Sequence, residues 1–321
     1  MFIDHDLIID KYGTIYQVMG YYHPIGIIYA FKKYKLSAFP SIWGSEPNFY
    51  MRIFREYSPK IAHKGFKTIY DPNLKTFLPY VNFIDIKFHI DPGKSIERLL
   101  RKTRDSLEKT ALELILKLEE NGIKLDSIGI GGSIALGIHN PNVSDIDVII
   151  YDSKSLKVIE QSNIIEPYKN NELENWFIKN SVRLSVPVKY IYDSYEPKRR
   201  GKYKGYDVSL IPVNRNMPEG IFKVDGKYAG IFDFIAESAK ISELSYFYPH
   251  VVDLTIKKVI KGSKSIEGKN CKLIVYESLF FNILKKFNLF KIRAKTYISK
   301  KENITAIVGI REAHTYIYKL K

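Results

Sequence analysis

The chain has 321 residues, enough for two or three domains with a full-sized core, and its 45% hydrophobic and 26% charged residues are the balance of a soluble globular protein. A single cysteine, Cys271, excludes an internal disulfide, and seven scattered histidines offer no Cys/His spacing for structural zinc. The formal charge of +15 and pI near 9.4 suit a polyanionic partner through counterion release, although Lys-rich, Ile-rich, Cys-poor composition is equally an adaptation to heat. No apolar run of about 18 residues is present, and the opening Met-Phe-Ile-Asp-His-Asp lacks the basic start and apolar stretch of a signal peptide. A cytosolic protein with no membrane partner is expected.

In chain order, the first ninety residues read as β-rich. Residues 6–10 and 14–21 form a hairpin around a Lys-Tyr-Gly turn, and 25–34 a further strand after the His23-Pro24 interruption. A short helix around 48–57 and a strand near 83–90 follow. Tyr16, Tyr21, Tyr22, Tyr29, Phe31 and Tyr34 lie among lysines, an interleaving that either stacks bases or fills a sheet core. One long helix is predicted from the Asp91-Pro92 start to the Asn121-Gly122 stop, with Ile96, Leu99, Leu100, Thr103, Leu107, Ala111, Leu114 and Leu118 on its packing face.

A buried strand at 127–130 then runs into Gly131-Gly132-Ser133, and a short helix begun by that serine covers 134–138. Next come an Asp-Ile-Asp strand, helices near 154–161 and 172–182, and a strand at 187–192. A basic loop, Lys198-Arg199-Arg200-Gly201-Lys202-Tyr203-Lys204-Gly205, leads into a strand over 206–212. The last hundred residues again read as β-rich, with strands at 273–276, 290–297, 303–308 and 315–320. No solenoid repeat or low-complexity tract is present.

The most informative pattern is the pair Asp145 and Asp147, twelve and fourteen positions after Ser133. The strand period of two sends both carboxylates to one face, while Ile146 and Val148 turn into the core. At roughly 5 Å and an effective dielectric of about 20 the two charges repel by about 3 kcal/mol, so the spot favours a cation between them. Mg²⁺ suits it, taking one or two protein carboxylates and completing its shell with water and phosphate. The Gly-Gly-Ser turn supplies close backbone approach, outward amides and a hydroxyl for a triphosphate, although a serine here is also a common helix cap. The turn is neither a P-loop nor a Gly-x-Gly-x-x-Gly fingerprint.

With Gly132, Ser133, Asp145 and Asp147 in place, residues 95–215 resemble the nucleotidyltransferase superfamily of DNA polymerase beta, the CCA-adding enzymes and the aminoglycoside nucleotidyltransferases. By Gly-Tyr-Tyr-His-Pro at 20–24 and Ile-Val-Gly-Ile-Arg-Glu-Ala-His at 307–314, the whole chain looks like an uncharacterised archaeal family of predicted nucleotidyltransferases. The resemblance implies that Gly131, Gly132 and Ser133 hold the triphosphate, that Asp145 and Asp147 bind two Mg²⁺ ions, and that a third carboxylate lies on a later strand. Asp207 is the candidate. In archaeal CCA-adding enzymes that acid stands three residues before a proline; here Ser209 does, and Asp207 lies two further back on the same face.

The fold class expected is α+β, with a central polymerase-beta-type nucleotidyltransferase domain, a mixed sheet backed by helices, at 93–220, between β-rich domains at 1–92 and 221–321. The function expected is transfer of a nucleoside monophosphate from an NTP to an acceptor hydroxyl, with RNA one candidate and protein or small molecules others. Arg199, Arg200 and Lys202, with Lys198 and Lys204, would neutralise phosphate, unless the run is a solvated face. His23 and His139 stand equally open. A second reading keeps the fold without the chemistry, as a nucleic-acid-binding protein. Base preference and oligomeric state are not encoded in any pattern found.

Overall fold

The structure, a computed structural model, describes residues 1–54, 66–238, 241–310 and 313–320. Arg311 and Glu312 of the 307–314 stretch therefore lie outside the described residues.

The chain opens with strands β1 (Leu7–Asp10), β2 (Ile15–Val18), β3 (Ile27–Ser37), β4 (Trp43–Ser45), β5 (Asn48–Arg52), β6 (Thr68–Asp71), β7 (Thr76–Asn82) and β8 (Ile86–Ile90). The Asp10 carboxylate accepts the amides of Tyr12 and Thr14 at 2.9 and 2.8 Å, which closes the β1–β2 turn around Gly13 at φ +77°. Where a helix is expected from residue 48, the β-prone Phe49, Tyr50 and Met51 pair with β3 instead; residues 55–57 of that expectation lie outside the described residues. Tyr16, Tyr29 and Tyr34 are buried, which is core filling rather than base stacking, whereas Tyr22 is exposed.

Two helices, α1 (Pro92–Arg101) and α2 (Ser106–Glu120), replace the single long one expected. Each has its own aspartate cap: Asp91 accepts from the Gly93 amide, Asp105 from that of Glu108. Thr103, placed on the packing stripe by periodicity alone, falls in the break. Then follow β9 (Ile128–Ile130), α3 (Gly132–Leu136), β10 (Ile146–Ile150), α4 (Ser153–Gln161), β11 (Glu166–Pro167), α5 (Asn170–Leu184) and α6 (Val188–Ile191). A strand is expected over 187–192; the chain instead turns helical after Pro187, whose fixed φ suits a helix start. The basic stretch, expected as a loop, is a turn at Lys198 and Arg199 and then strand β12 (Arg200–Tyr203), hairpinned through Lys204 and Gly205, both at positive φ, onto β13 (Tyr206–Pro212). The C-terminal third comprises β14 (Lys227–Ser238), β15 (His250–Lys261), β16 (Asn270–Val275), α7 (Ser278–Lys286), β17 (Leu289–Ile298), β18 (Ile304–Val308) and β19 (Tyr316–Lys319). The sequence reading placed neither β14, β15 nor α7.

The chain divides into two compact units. The first holds residues 1–56, 79–170 and 196–217, so the boundary expected at 92/93 falls inside it; the second holds 57–78, 171–195 and 218–321. In the first unit one sheet runs β4-β5-β3-β2-β1-β8, with β7 joining β3. The other runs β11-β12-β13-β10-β9 and is mixed, β10 and β13 being parallel and the rest antiparallel. The two sheets share cores. Ile15 and Tyr34 pack with Leu136 and Ile138 beyond α3, and Ile3 and Tyr21 pack with Ile149, Tyr151, Ile211 and Val213. In the second unit β14-β15-β16-β18-β17 closes on itself because β17 also pairs with β14. Its parallel β16/β18 pair and the helix between β16 and β17 give this barrel the connectivity of the OB fold.

Glu108, with no exposed surface, clasps the break between α1 and α2. It accepts from Arg98 Nη1 at 2.7 Å and from Arg104 Nε and Nη2 at 2.9 and 2.6 Å, while the same arginines donate to the carbonyls of Ile134 and Gly137 at the end of α3. Burial alone would raise its pKa, but the hydrogen bonds from Arg104 and Arg98 outweigh that and hold it below the ordinary carboxylate range. The folded pKa being depressed, this contribution is complete above the ordinary value near 4.5 and is lost as pH falls through the folded one. Glu108→Gln is expected to destabilise the protein by about 3–5 kcal/mol at pH 7, as for a broken buried ion pair, and by clearly less near pH 3. Denaturant unfolding at the two pH values checks this; an equal loss at both would contradict it.

Candidate active site

β10 begins beside the glycine turn. The Gly131 amide donates to the Asp147 carbonyl at 2.8 Å, extending the β9–β10 ladder into the turn, and Gly132 stands at φ +58°. A Cβ added at Gly132 would lie 2.5 Å from Asp147 Oδ2, so only glycine lets the turn lie this close to the carboxylate. Ile146 and Val148 are fully buried on the opposite face, as the strand period requires. The helix cap is Gly131, not Ser133. Ser133 lies inside α3, buried, and its hydroxyl donates to Ser144 Oγ at 3.4 Å; Ser144 Oγ in turn accepts the Asn140 amide at 3.0 Å, tying the turn to the loop that ends in Asp145. With five residues, α3 is too short for its dipole to matter much, and the close approach at the glycines is what it offers a phosphate.

Asp145 and Asp147 feel each other. The charge of Asp147 holds the Asp145 carboxyl above the ordinary carboxylate range, and two cations, Arg200 and Lys33, partly offset this; Asp145 is itself exposed, so its neighbour's charge and not burial is the main cause. Two like charges held against a glycine-lined turn that excludes a Cβ fit a hard divalent cation, with Asp145 and Asp147 as the protein ligands. Such an ion would supply Lewis-acid stabilisation of phosphoryl oxygens and lower the pKa of a bound hydroxyl.

The neighbouring strand carries no third acid into this spot. In the parallel ladder Asp147 is level with Ser209, and across β12 Ser209 is level with Arg200, so one row reads Asp147, Ser209, Arg200. The ladder between β10 and β13 starts at Ile146 and Val208, leaving Asp207 one step before it, exposed and paired across the hairpin with Lys202. Among the described residues no three Asp, Glu, His or Cys side chains gather as a metal site. Ser209 fills the expected position with a buried hydroxyl that has no hydrogen-bond partner among the described residues.

The basic stretch separates by role. Arg200 faces the acid pair, while Lys198 donates to the Ser162 carbonyl and Asn163 Oδ1 at 2.7 and 2.5 Å, and Lys204 pairs with Glu113 at 2.8 Å. Arg199 is buried and Lys202 half-buried. The histidines are structural. His139, whose side chain is 2% exposed, pairs with Asp105 at 2.8 Å; it is not solvent-exposed as a loop residue would be by default. His23 accepts the Tyr29 amide at Nδ1 and donates to the Phe2 carbonyl, and burial pushes its pKa down to about 4, so it remains neutral. Sequence reasoning missed Lys33, since nothing in its local pattern ties β3 to a strand more than a hundred residues later.

Gly132→Ala tests the turn. A non-glycine residue at this φ costs about 1–2 kcal/mol, and its methyl would displace the Asp147 carboxylate, so Mn²⁺ affinity is expected to fall by about tenfold or more while the chain stays folded. Calorimetric Mn²⁺ titration reads this, and unchanged affinity would refute the proximity of turn and ligand.

Comparison with known proteins agrees with this geometry. Residues 110–214 match the family model of the nucleotidyltransferase domain. An uncharacterised protein of the archaeon Methanocaldococcus jannaschii is 28% identical over 185 residues, 53% of this chain and 53% of that protein, so the match spans about half the length of each. No solved structure matches. The turn, the acid pair and the family match coincide on one stretch: residues 110–214 are similar to the nucleotidyltransferase domain of the DNA polymerase beta type.

Proposed function

We propose that the protein is a cytosolic Mg²⁺-dependent nucleotidyltransferase that moves a nucleoside monophosphate from an NTP to an acceptor hydroxyl. The acceptor oxygen bonds to the α-phosphorus, the bond from that phosphorus to the bridging oxygen of the β-phosphate breaks, and pyrophosphate leaves. The observation that carries the reading is the closeness of the Asp147 carboxylate to Gly132, which brings a metal ligand and a phosphate-sized approach to one point. Asp145 and Asp147 hold the metal, two ions by the family resemblance, and Gly131, Gly132, Ser133 and Arg200 receive the triphosphate. Asp207 stands outside the pair, so the metal set rests on two carboxylates and on groups brought by the nucleotide. Arg199, just before β12, and Lys202, within it, act through their long-range charge.

RNA is the acceptor that the second unit favours. Residues 218–321 hold 19 Lys and Arg against 10 Asp and Glu, on a barrel whose connectivity is used elsewhere to bind single strands. The reading that keeps nucleic-acid binding without transfer rests on the same charge together with Ser209 in place of an acid.

Incubation with each labelled NTP, Mg²⁺ and RNA, protein or small-molecule acceptors separates these readings. Transfer is expected, lowered by about 10³-fold or more in Asp145→Asn and Asp147→Asn, by less than about tenfold in Asp207→Asn, and raised in Ser209→Asp, which would set a third carboxylate level with Asp147. No transfer to any acceptor, with salt-steep RNA binding and no Mg²⁺-ATP thermal shift, would establish the binding-only reading instead.

A further inference from the structure

The N-terminal sheet contributes a cation to the acid pair, and the sequence prepares it by an irregularity in β3. In the β2–β3 ladder Ile15 pairs with Tyr34 and Tyr16 with Lys32, which leaves Lys33 as an extra residue on β3. A bulge of this kind bends its strand and redirects a side chain, and bulges recur beside functional sites. The Lys33 ammonium donates to Gln17 Oε1 at 2.7 Å, and Gln17 is itself buried. Its carbonyl side chain therefore fixes where the charge sits. From there Lys33 is attracted by both Asp147 and Asp145 and repelled by Arg52 of β5, while burial, the largest influence on it, works against its charge. Asp145 feels Lys33 in return. Lys33, a half-buried residue, thus brings its charge toward the acids from a strand outside the 110–214 domain, against the cost of desolvating it.

We propose that Lys33 is a triphosphate-binding residue of this site, which offsets the charge of Asp145 and Asp147 before ligands arrive and contacts phosphate oxygens once a metal has taken the carboxylates. The inference rests on the nucleotidyltransferase reading. Lysine suits the role as a compact point charge on a flexible stem, able to change partners over a few ångströms without moving the backbone. Two consequences have opposite signs. Without nucleotide, the ammonium competes with a metal for the carboxylates; with nucleotide, it adds an attraction that the acid pair cannot supply. A lysine that merely stabilised the bulge would change both affinities in the same direction, or neither.

The test uses the full chain, Mn²⁺ alone, and inorganic tripolyphosphate at saturating Mn²⁺, which avoids any assumption about the base. In Lys33→Met, Mn²⁺ alone is expected to bind about threefold to tenfold tighter and tripolyphosphate about tenfold or more weaker, while Lys33→Arg retains tripolyphosphate binding. Lys33→Gln keeps a donor for Gln17 but removes the charge, so it repeats the pattern with the bulge intact; its melting temperature, expected to stay near that of the wild type, controls for folding. A wild type that binds both probes, with both neutral variants unchanged or weakened for both, overturns the proposal alone. A wild type that binds neither probe removes the reading of the site, and this proposal with it.

Discussion

Two carboxylates at the start of one strand, Asp145 just before it and Asp147 within it, are held within reach of each other's charge, and much of the first unit serves that placement. A strand end alone would let Asp145 and Asp147 turn apart, because like charges at close range repel. Relaxation is opposed from several sides. The Gly131 amide holds the Asp147 carbonyl, Ser144 fastens the loop before Asp145 to α3, and the buried partners Ile146 and Val148 fix the strand's face. Arg200 and Lys33 lower the electrostatic cost of charging Asp145.

The same constraint explains why the N-terminal sheet belongs to the unit that holds the site. Ile15 and Tyr34 cover the end of α3, the Gly44 amide donates to the Ile138 carbonyl at 2.8 Å, and Ile3 and Tyr21 close the face that continues from Asp147 through Ile149 and Tyr151. Glu108 works from the other side, joining the α1–α2 break to the two carbonyls at the end of α3 through Arg98 and Arg104. His139, which reads as a loop residue near the acids, is one more part of that clasp through Asp105 and Arg104. Buried polar groups of this sort are strong when fully paired, and they place α3 more sharply than apolar packing would.

The sheet order decides what the acid pair lacks. A third carboxylate on the neighbouring strand depends on register, and the parallel ladder puts Ser209, not Asp207, level with Asp147. Because successive strand residues alternate faces, Asp207 shares the face of Ser209 but stands a two-residue step from it, before the ladder begins and toward Asp145 rather than Asp147. The difference is small in sequence and large for coordination, where ligand distances are fixed to a few tenths of an ångström.

By itself the sequence determined the local pattern. The Asp-x-Asp spacing, the glycine turn, the strands at 128–130, 146–150 and 206–212 and the helices around 154–161 and 172–182 are legible because strand and helix periods and turn residues act over a few positions. Periodicity also misled: it ran α1 and α2 together, since the caps Asp91 and Asp105 compete with a stripe that spans both, and it could not see that Arg200 to Tyr203 folds back as a strand between β11 and β13. Tertiary structure alone decided that β14 and β15 close a barrel, that Glu108 and His139 are buried partners, and that a bulged lysine of β3 feels the charge of Asp145 and Asp147. Those outcomes depend on contacts between residues far apart in the chain, and no local propensity carries information about a partner more than a hundred positions away.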